Sequence, residues 1–392
     1  MTSPRKYRVI ELFSGVGSQR MAFNIVSAQT GIEFEYVAQC DIDKYAVKSY
    51  NAIHGVTPNL GDITKVEVLP DCDILTWSFP CQSLSQAGRK EGMAKGSDTK
   101  SSLAWEVIRL LGCSHKPEWL VMENVPMITD KTNLKDFNQI INALNLLGYR
   151  SRYRILDATD FNVPQTRSRC LMVSRLGGMV PDFPTPIGLN HILGDFLEPN
   201  PDPKYYLSPR RVKSIIVASE RNKAMGNGFQ CFPVTKNDVA RTITVKPDRK
   251  SSTHLLDIDE ESALKIKTNN STGWMFGFPG DGVVLGQPQA RGVVRSKQSP
   301  TLTTHPQGTG VITEDSKLRV LTPRESWRLM GLCQINPDGT FNDTNYELAA
   351  QHVSNSQLYK QAGNSIVVDV LVHLYLSFLS PSKVGQSTID CW

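Results

Sequence analysis

Between residues 7 and 174, short apolar runs alternate with segments whose apolar residues recur every three or four positions. The runs at 8–13, 35–39, 73–77, 119–123, 152–156 and 170–174 predict strands. The intervening segments 19–28, 44–52, 103–111 and 134–147 predict amphipathic helices. Repeated βαβ alternation of this kind predicts an α/β fold with a doubly wound, mostly parallel sheet. The regularity stops after Ser174. Gly177, Gly178 and the prolines at 181, 184, 186, 199, 201 and 203 read as a linker. Beyond it, residues 190–318 are rich in Thr, Gly and Asn, with β-like pieces at 241–245 and 301–304, which predicts a second, smaller, irregular β-rich domain. Helical spacing returns at 322–330, with Pro323 in the first turn, and at 365–379. The expected division is residues 1–188 plus 356–392 as one domain and 189–355 as the second domain and hinge.

Composition narrows the class. The chain has 392 residues, enough for one large and one smaller core. Its eight cysteines form no CxxC pair and no secretory leader precedes them, so neither a disulfide framework nor a metal site is expected. A reducing, cytoplasmic setting is the expectation. The longest apolar run, 370–379, is broken by His373 and falls short of the ~20 residues that span a bilayer. Net charge is +5, and residues 190–318 hold 17 Lys and Arg against 13 Asp and Glu, so the excess sits almost wholly in the second domain. That bias is compatible with a polyanion, although most such charges form an ordinary solvated face.

Candidate chemistry gathers where the predicted strands end. Cys81 follows Pro80 just beyond the apolar run 73–77 and precedes Gln82 in a polar stretch, a position that offers the thiol to a ligand. A lone cysteine is more often inert, so its company decides. Phe13-Ser14-Gly15-Val16-Gly17 follows the first strand and suits a glycine loop for an adenosyl ligand; it suits a tight turn equally. Asp41 ends the second strand where ribose hydroxyls bind, and Asp62 is placed for an adenine amino group; both also suit helix caps. Glu123 is expected at the same sheet edge as Cys81, as an acid or as a buried partner of an arginine. Arg167 and Arg169 alternate before the next strand and can face one way, in the site or in a surface ion pair. The segment 361–365 is expected to open the last helix.

In this order the motifs resemble those of the DNA cytosine-C5 methyltransferases over nearly the whole chain. The match comprises Phe-x-Gly-x-Gly at 13–17, the acid at Asp41, Gly-Asp-Ile at 61–63, Pro-Cys-Gln at 80–82, Glu-Asn-Val at 123–125 and Gln-x-Arg-x-Arg at 165–169. It continues with Leu-Thr-Pro-Arg-Glu and Arg-Leu-Met-Gly within 321–331, and Gly-Asn-Ser at 363–365. Three positions depart from the family pattern: Ser18-Gln19 stands where Gly-Gly is usual, and Lys100 where an arginine is usual.

The resemblance implies methyl transfer from S-adenosylmethionine to C5 of a cytosine in duplex DNA. Cys81 would add to C6 as the nucleophile, Glu123 would stabilise charge at N3, Arg169 would hold the base O2, and Arg167 would support the pocket. Phe13, Ser14, Gly15, Gly17, Asp41, Ile42, Asp62, Ile63, Pro80, Asn364 and Ser365 would bind the cofactor. The base would be extruded from the helix. Gln82, Ser83, Ser85 and Arg89, with Thr301 and Leu302 of the second domain, would contact DNA. A monomer acting on double-stranded DNA, with a cognate restriction endonuclease as companion, completes the expectation. Its rivals are an RNA cytosine-C5 methyltransferase, a catalytically silent DNA-binding regulator on the same scaffold, and a nicotinamide oxidoreductase.

Overall fold

The computed structural model describes residues 5–81, 93, 99–226, 234–245, 254–257, 265–267, 274–276, 282–284, 294–295, 309–311 and 317–380. Six strands form the main sheet: β1 (Lys6–Leu12), β2 (Glu33–Cys40), β3 (Ile74–Trp77), β4 (Trp119–Asn124), β5 (Tyr149–Asp157) and β6 (Ser168–Leu176). Their order is β2-β1-β3-β4-β6-β5. The pairs β1/β2, β1/β3 and β3/β4 are parallel, whereas β6 runs antiparallel to both β4 and β5. The predicted doubly wound, mostly parallel sheet is therefore present. One strand near its edge, β6, is reversed.

Between the strands run α1 (Ser18–Thr30), α2 (Lys44–His54), α3 (Ala104–Cys113) and α4 (Leu134–Leu146). β3 and β4 are buried at every residue, as strands covered on both faces must be. Alternation then assigns the faces. Ile10, Leu12, Leu75, Trp77, Leu120 and Met122 join one core cluster with residues of α3 and α4. The intervening residues point the other way: Trp119 meets Phe378, and Glu11 accepts the Arg20 amide of α1. Strand order reverses between β1 and β3, and a crevice at such a reversal is where doubly wound sheets bind ligands.

By contacts the chain divides into two compact units, Met1–Glu198 with Val239–Pro247 and Pro323–Trp392, and Pro199–Asp238 with Asp248–Thr322. In the second unit, a helix, α5 (Pro209–Ala224), accompanies short antiparallel pieces such as His254–Asp257 against Lys317–Val320. Sequence reading gave no helix there, because the prolines that precede it read as linker. Residues 241–245, expected as a β-like piece of the second domain, form no strand and cluster with the first unit. Side chains satisfy the backbone at Ile243 instead: its N–H donates to Gln165 Oε1 (3.0 Å) and its carbonyl accepts from Arg167 (2.9 Å).

The chain closes with α6 (Pro323–Arg328), α7 (Thr344–Ala350), α8 (Asn355–Asn364) and α9 (Val368–Leu379). The segment 361–365 ends α8 rather than opening the last helix. Ser365 is extended (φ −76°, ψ 163°) and its hydroxyl donates to the Gln361 carbonyl, a local bond that competes with helical continuation. An 18-residue window within Asn355–Leu379 has a mean hydropathy of 1.5, high enough for a membrane span, but 72% of that window is buried within the fold.

Candidate active site

After β1 the chain makes a tight loop with Phe13 and Gly15 both at φ 57° and Gly17 at 82°. The Phe13 and Ser14 amides donate to the Cys40 carbonyl at the end of β2 (2.7 and 3.3 Å), which ties the two strand ends together. Asp41 then braces the loop: Oδ2 accepts from the Gly15 amide (2.9 Å) and Oδ1 from the Asp43 amide (2.8 Å). Burial raises the Asp41 pKa from its ordinary value, and those two amides oppose the rise. Asp43, not Asp41, caps α2. Asp62 does cap a short helical turn, accepting from the Thr64 amide and hydroxyl, and these bonds hold its pKa down.

These groups line a cavity of about 310 Å³ together with Ser14, Ile42, Ile63, Pro80, Asn364 and Ser365. Gly17 is set back from it. A side chain there would strike His54 Nε2 at 2.4 Å, so this glycine makes room for the packing of α2. Ile42 is 77% exposed, an unusual state for a large aliphatic residue at a cavity wall and one suited to a flat apolar ring. Open backbone at Gly15, acceptors at Asp41 and Asp62 and an apolar face at Ile42 together fit an adenosyl cofactor. Thr76 Oγ1 and Arg167 Nε, in the same wall, are buried with no hydrogen-bond partner.

The far wall carries the reactive side chains. Cys81 follows β3 and Glu123 lies near the end of the adjacent β4. Because β6 runs the other way, it starts where β4 finishes, with Asn124 opposite Cys170, and this brings Arg169 alongside. Arg169 Nε is 3.0 Å from Glu123 Oε1. Arg167 is buried, not a surface ion-pair residue. Its guanidinium donates to the carbonyls of Ile243 (2.9 Å), Gly363 (2.8 Å) and Ser365 (2.7 Å). Burial, and then the Arg169 charge, press its pKa down, while three fixed acceptors hold the guanidinium in place.

Burial is also the largest influence on Cys81 and Glu123, raising both pKa values. Glu123 raises Cys81 further, and Arg169 lowers both. Thus the sheet edge joins a thiol, an acid and two cations, all in the cavity that the glycine loop borders.

Several supporting residues were not singled out from sequence. Asn124 Nδ2 donates to the Phe79 carbonyl (3.0 Å) and Ser101 Oγ to the Pro80 carbonyl (2.8 Å), which fixes the path into Cys81. Lys360 lines the cavity and pairs with Asp43 at 2.7 Å. Ser78 lines it too, as does Gln19, which the sequence marked only as a departure from the family pattern. Asn124 and Ser78 adjoin the motif residues, whereas the role of Lys360 depends on a contact across more than 300 residues and leaves no local signal. Lys100 is exposed at the start of a short helical turn. Gln82, Ser83, Ser85, Arg89, Thr301 and Leu302 lie outside the described residues.

The sheet order, the glycine loop and the strand-end carboxylate fit an S-adenosylmethionine-dependent methyltransferase. Residues 7–378 match the C-5 cytosine-specific DNA methylase family, and the chain belongs to that family. It is a DNA cytosine-C5 methyltransferase. Among curated relatives, the type II methyltransferase M2.ScrFI of Lactococcus lactis subsp. cremoris is 29% identical over 94% of this chain and 98% of its own. M.SsoII of Shigella sonnei, also a type II methyltransferase, is 33% identical over 71% and 73%. Similar solved structures include the S. pombe Dnmt2 methyltransferase, with a TM-score of 0.62 and 20% identity over 96% of this chain and 99% of that one. The Entamoeba histolytica methyltransferase EhMeth has a TM-score of 0.65 and 17% identity over 97% and 99%. At these identities the likeness of the two structures concerns the fold.

Proposed function

We propose that this enzyme methylates cytosine through a covalent bond between Cys81 Sγ and C6 of a base turned out of duplex DNA. The observation that carries the reading is the meeting of Cys81, Glu123, Arg167 and Arg169 in one cavity with the Phe13–Gly15 loop and Asp41. C5 of cytosine is a weak nucleophile. Attack of the Cys81 thiolate forms the S–C6 bond, the electrons of the C5–C6 double bond move through the ring towards N3, and C5 becomes enamine-like. Glu123 hydrogen-bonds to N3 and shares a proton with it as negative charge develops. Arg169 orients and holds Glu123 while its remaining donors face the base O2, and Arg167 anchors the wall behind.

Bound S-adenosylmethionine supplies the electrophilic methyl group that C5 takes. Phe13, Ser14, Gly15, Asp41, Ile42, Asp62, Ile63, Pro80, Asn364 and Ser365 would hold it, with Gly17 shaping the loop. A solvent water then takes the C5 proton, the C5–H electrons re-form the C5–C6 double bond, and the S–C6 bond breaks to release Cys81 as the thiolate. The pocket cannot reach a stacked base, so extrusion from the duplex precedes attack. Contacts from Gln82, Ser83, Ser85 and Arg89, with Thr301 and Leu302 reading sequence, belong to the same proposal.

Bisulfite sequencing of DNA from a bacterial host that lacks cytosine methylation of its own, before and after expression of the chain, tests this reading. Protected cytosines within one recurring sequence are the expected result. Fully converted DNA from cells that contain the folded enzyme would overturn it.

A further inference from the structure

Two side chains grip the backbone immediately ahead of Cys81. Asn124 Nδ2, at the end of β4, donates to the Phe79 carbonyl at 3.0 Å, and Ser101 Oγ donates to the Pro80 carbonyl at 2.8 Å. Ser101 is fully buried in the short helical turn Lys100–Leu103 that leads into α3. The first bond sets the peptide plane between Phe79 and Pro80, and the buried Phe79 ring stacks on Trp77 at 5.6 Å. The pyrrolidine ring fixes φ of Pro80. Because peptide groups are planar, one torsion remains between that plane and the peptide of Cys81, the ψ of Pro80. The direction of the Pro80 carbonyl is set by this torsion, and Ser101 holds that carbonyl. Phe79, Pro80 and Cys81 all line the cavity.

We propose that Ser101 is a positioning residue for the nucleophile: by holding the Pro80 carbonyl it fixes the backbone torsion just ahead of Cys81, and so the direction from which the thiol meets the base. The proposal rests on the covalent role given to Cys81 above. Attack on a ring carbon needs the sulfur close to C6 and over the face of the ring, and small misplacements at such a step are costly. The charges that act on the ionisation of the thiol belong to Glu123, Arg169 and Arg167. Loss of an uncharged hydroxyl therefore alters the geometry of attack and leaves those charges in place. Ser102 supplies a matched comparison. It lies in the same turn, and its hydroxyl donates to the Thr99 carbonyl at 2.7 Å, a bond local to that turn.

The test compares full-length wild type, Ser101→Ala, Ser101→Cys and Ser102→Ala on unmethylated genomic DNA, by single-turnover rate across pH and by steady-state KM for DNA and for S-adenosylmethionine. Ser101→Ala should slow methyl transfer about tenfold, the scale of a buried carbonyl that loses its donor. Its pH limbs should stay at their wild-type positions and both KM values should change less than twofold. Ser102→Ala should match wild type. A wild-type rate in Ser101→Ala, an equal loss in Ser102→Ala, or a loss confined to KM overturns the proposal. Should Ser101→Ala fail to fold, Ser101→Cys decides on the same readings, since it nearly conserves size and replaces the hydroxyl by a weaker donor. Cys81→Ser separates the two levels: wild-type turnover there defeats the covalent route itself, whereas an inactive Cys81→Ser beside an unaltered Ser101→Ala defeats only the positioning role.

Discussion

Burial and charge act in opposite directions on the Cys81 thiol. Burial and Glu123 favour the protonated form, Arg169 and Arg167 favour the thiolate, and the thiolate is the form that attacks carbon. Arg169 also favours the Glu123 carboxylate. Its removal leaves both groups holding their protons to higher pH, so the sign is the same for each. Arg169→Gln should move both limbs of the kcat/KM profile upward and lower the maximum by about a hundredfold, the scale of a lost electrostatic donor. Limbs that stay in place would show that Arg169 does not set the protonation of the pair. These three residues were legible in the sequence because each sits at the edge of an apolar run: Cys81 just after 73–77, Glu123 at the close of 119–123, and Arg169 one step before 170–174. Asn124, Ser101 and Lys360 were not legible in their roles. A polar residue whose partner is a distant carbonyl or carboxylate carries the same local pattern as any surface residue.

Among the elements, strands were recovered better than boundaries. The six predicted strands of the main sheet are all present; β3 and β4, buried on both faces, read as continuous apolar runs. The helix break at 365–367 was missed because apolar spacing continues through it; a side-chain bond from Ser365 to Gln361 makes the break. Residues 241–245 failed as a strand for a related reason, as Gln165 and Arg167 occupy the backbone groups that a neighbouring strand would use. The same junction explains Gly363. A Cβ added there would lie 2.5 Å from the Val245 amide nitrogen and 2.7 Å from the Thr244 carbonyl carbon, both backbone atoms that cannot swing aside. Gly363→Ala should therefore displace the segment whose Ile243 carbonyl holds Arg167. Stability should fall by roughly 1–3 kcal/mol in chemical denaturation, as overpacking elsewhere does. An unchanged midpoint with full activity would mean that this close approach is dispensable.

At the scale of the molecule, the proposed catalysis and the proposed reading of sequence fall to different stretches of chain. The reactive residues and the cavity they line belong to the first unit. The basic excess falls within 190–318, most of it in the second, where short antiparallel pieces replace the regular sheet. That arrangement predicts separable properties. Exchange of 190–318 for the corresponding segment of a relative with a different target should change which cytosines resist bisulfite conversion, while the need for Cys81 stays the same. An unaltered target sequence would take specificity away from that segment. Hydrophobic pattern marks the end of βα alternation at 174, but it gave no sign that 239–247 and 323–355 cluster with the first unit, a grouping made by contacts with residues far away in sequence.

The most direct test of the covalent route is to trap it. With plasmid DNA in which 5-fluorodeoxycytidine replaces deoxycytidine, the C5 substituent cannot leave as a proton, so Cys81 cannot be expelled after methyl transfer. Incubation with S-adenosylmethionine should yield a protein–DNA species that survives denaturing electrophoresis, maps by mass spectrometry to Cys81 and is missing from Cys81→Ser. A folded, DNA-binding enzyme that methylates ordinary DNA but forms no such species, or one that forms it equally well as Cys81→Ser, would contradict the account.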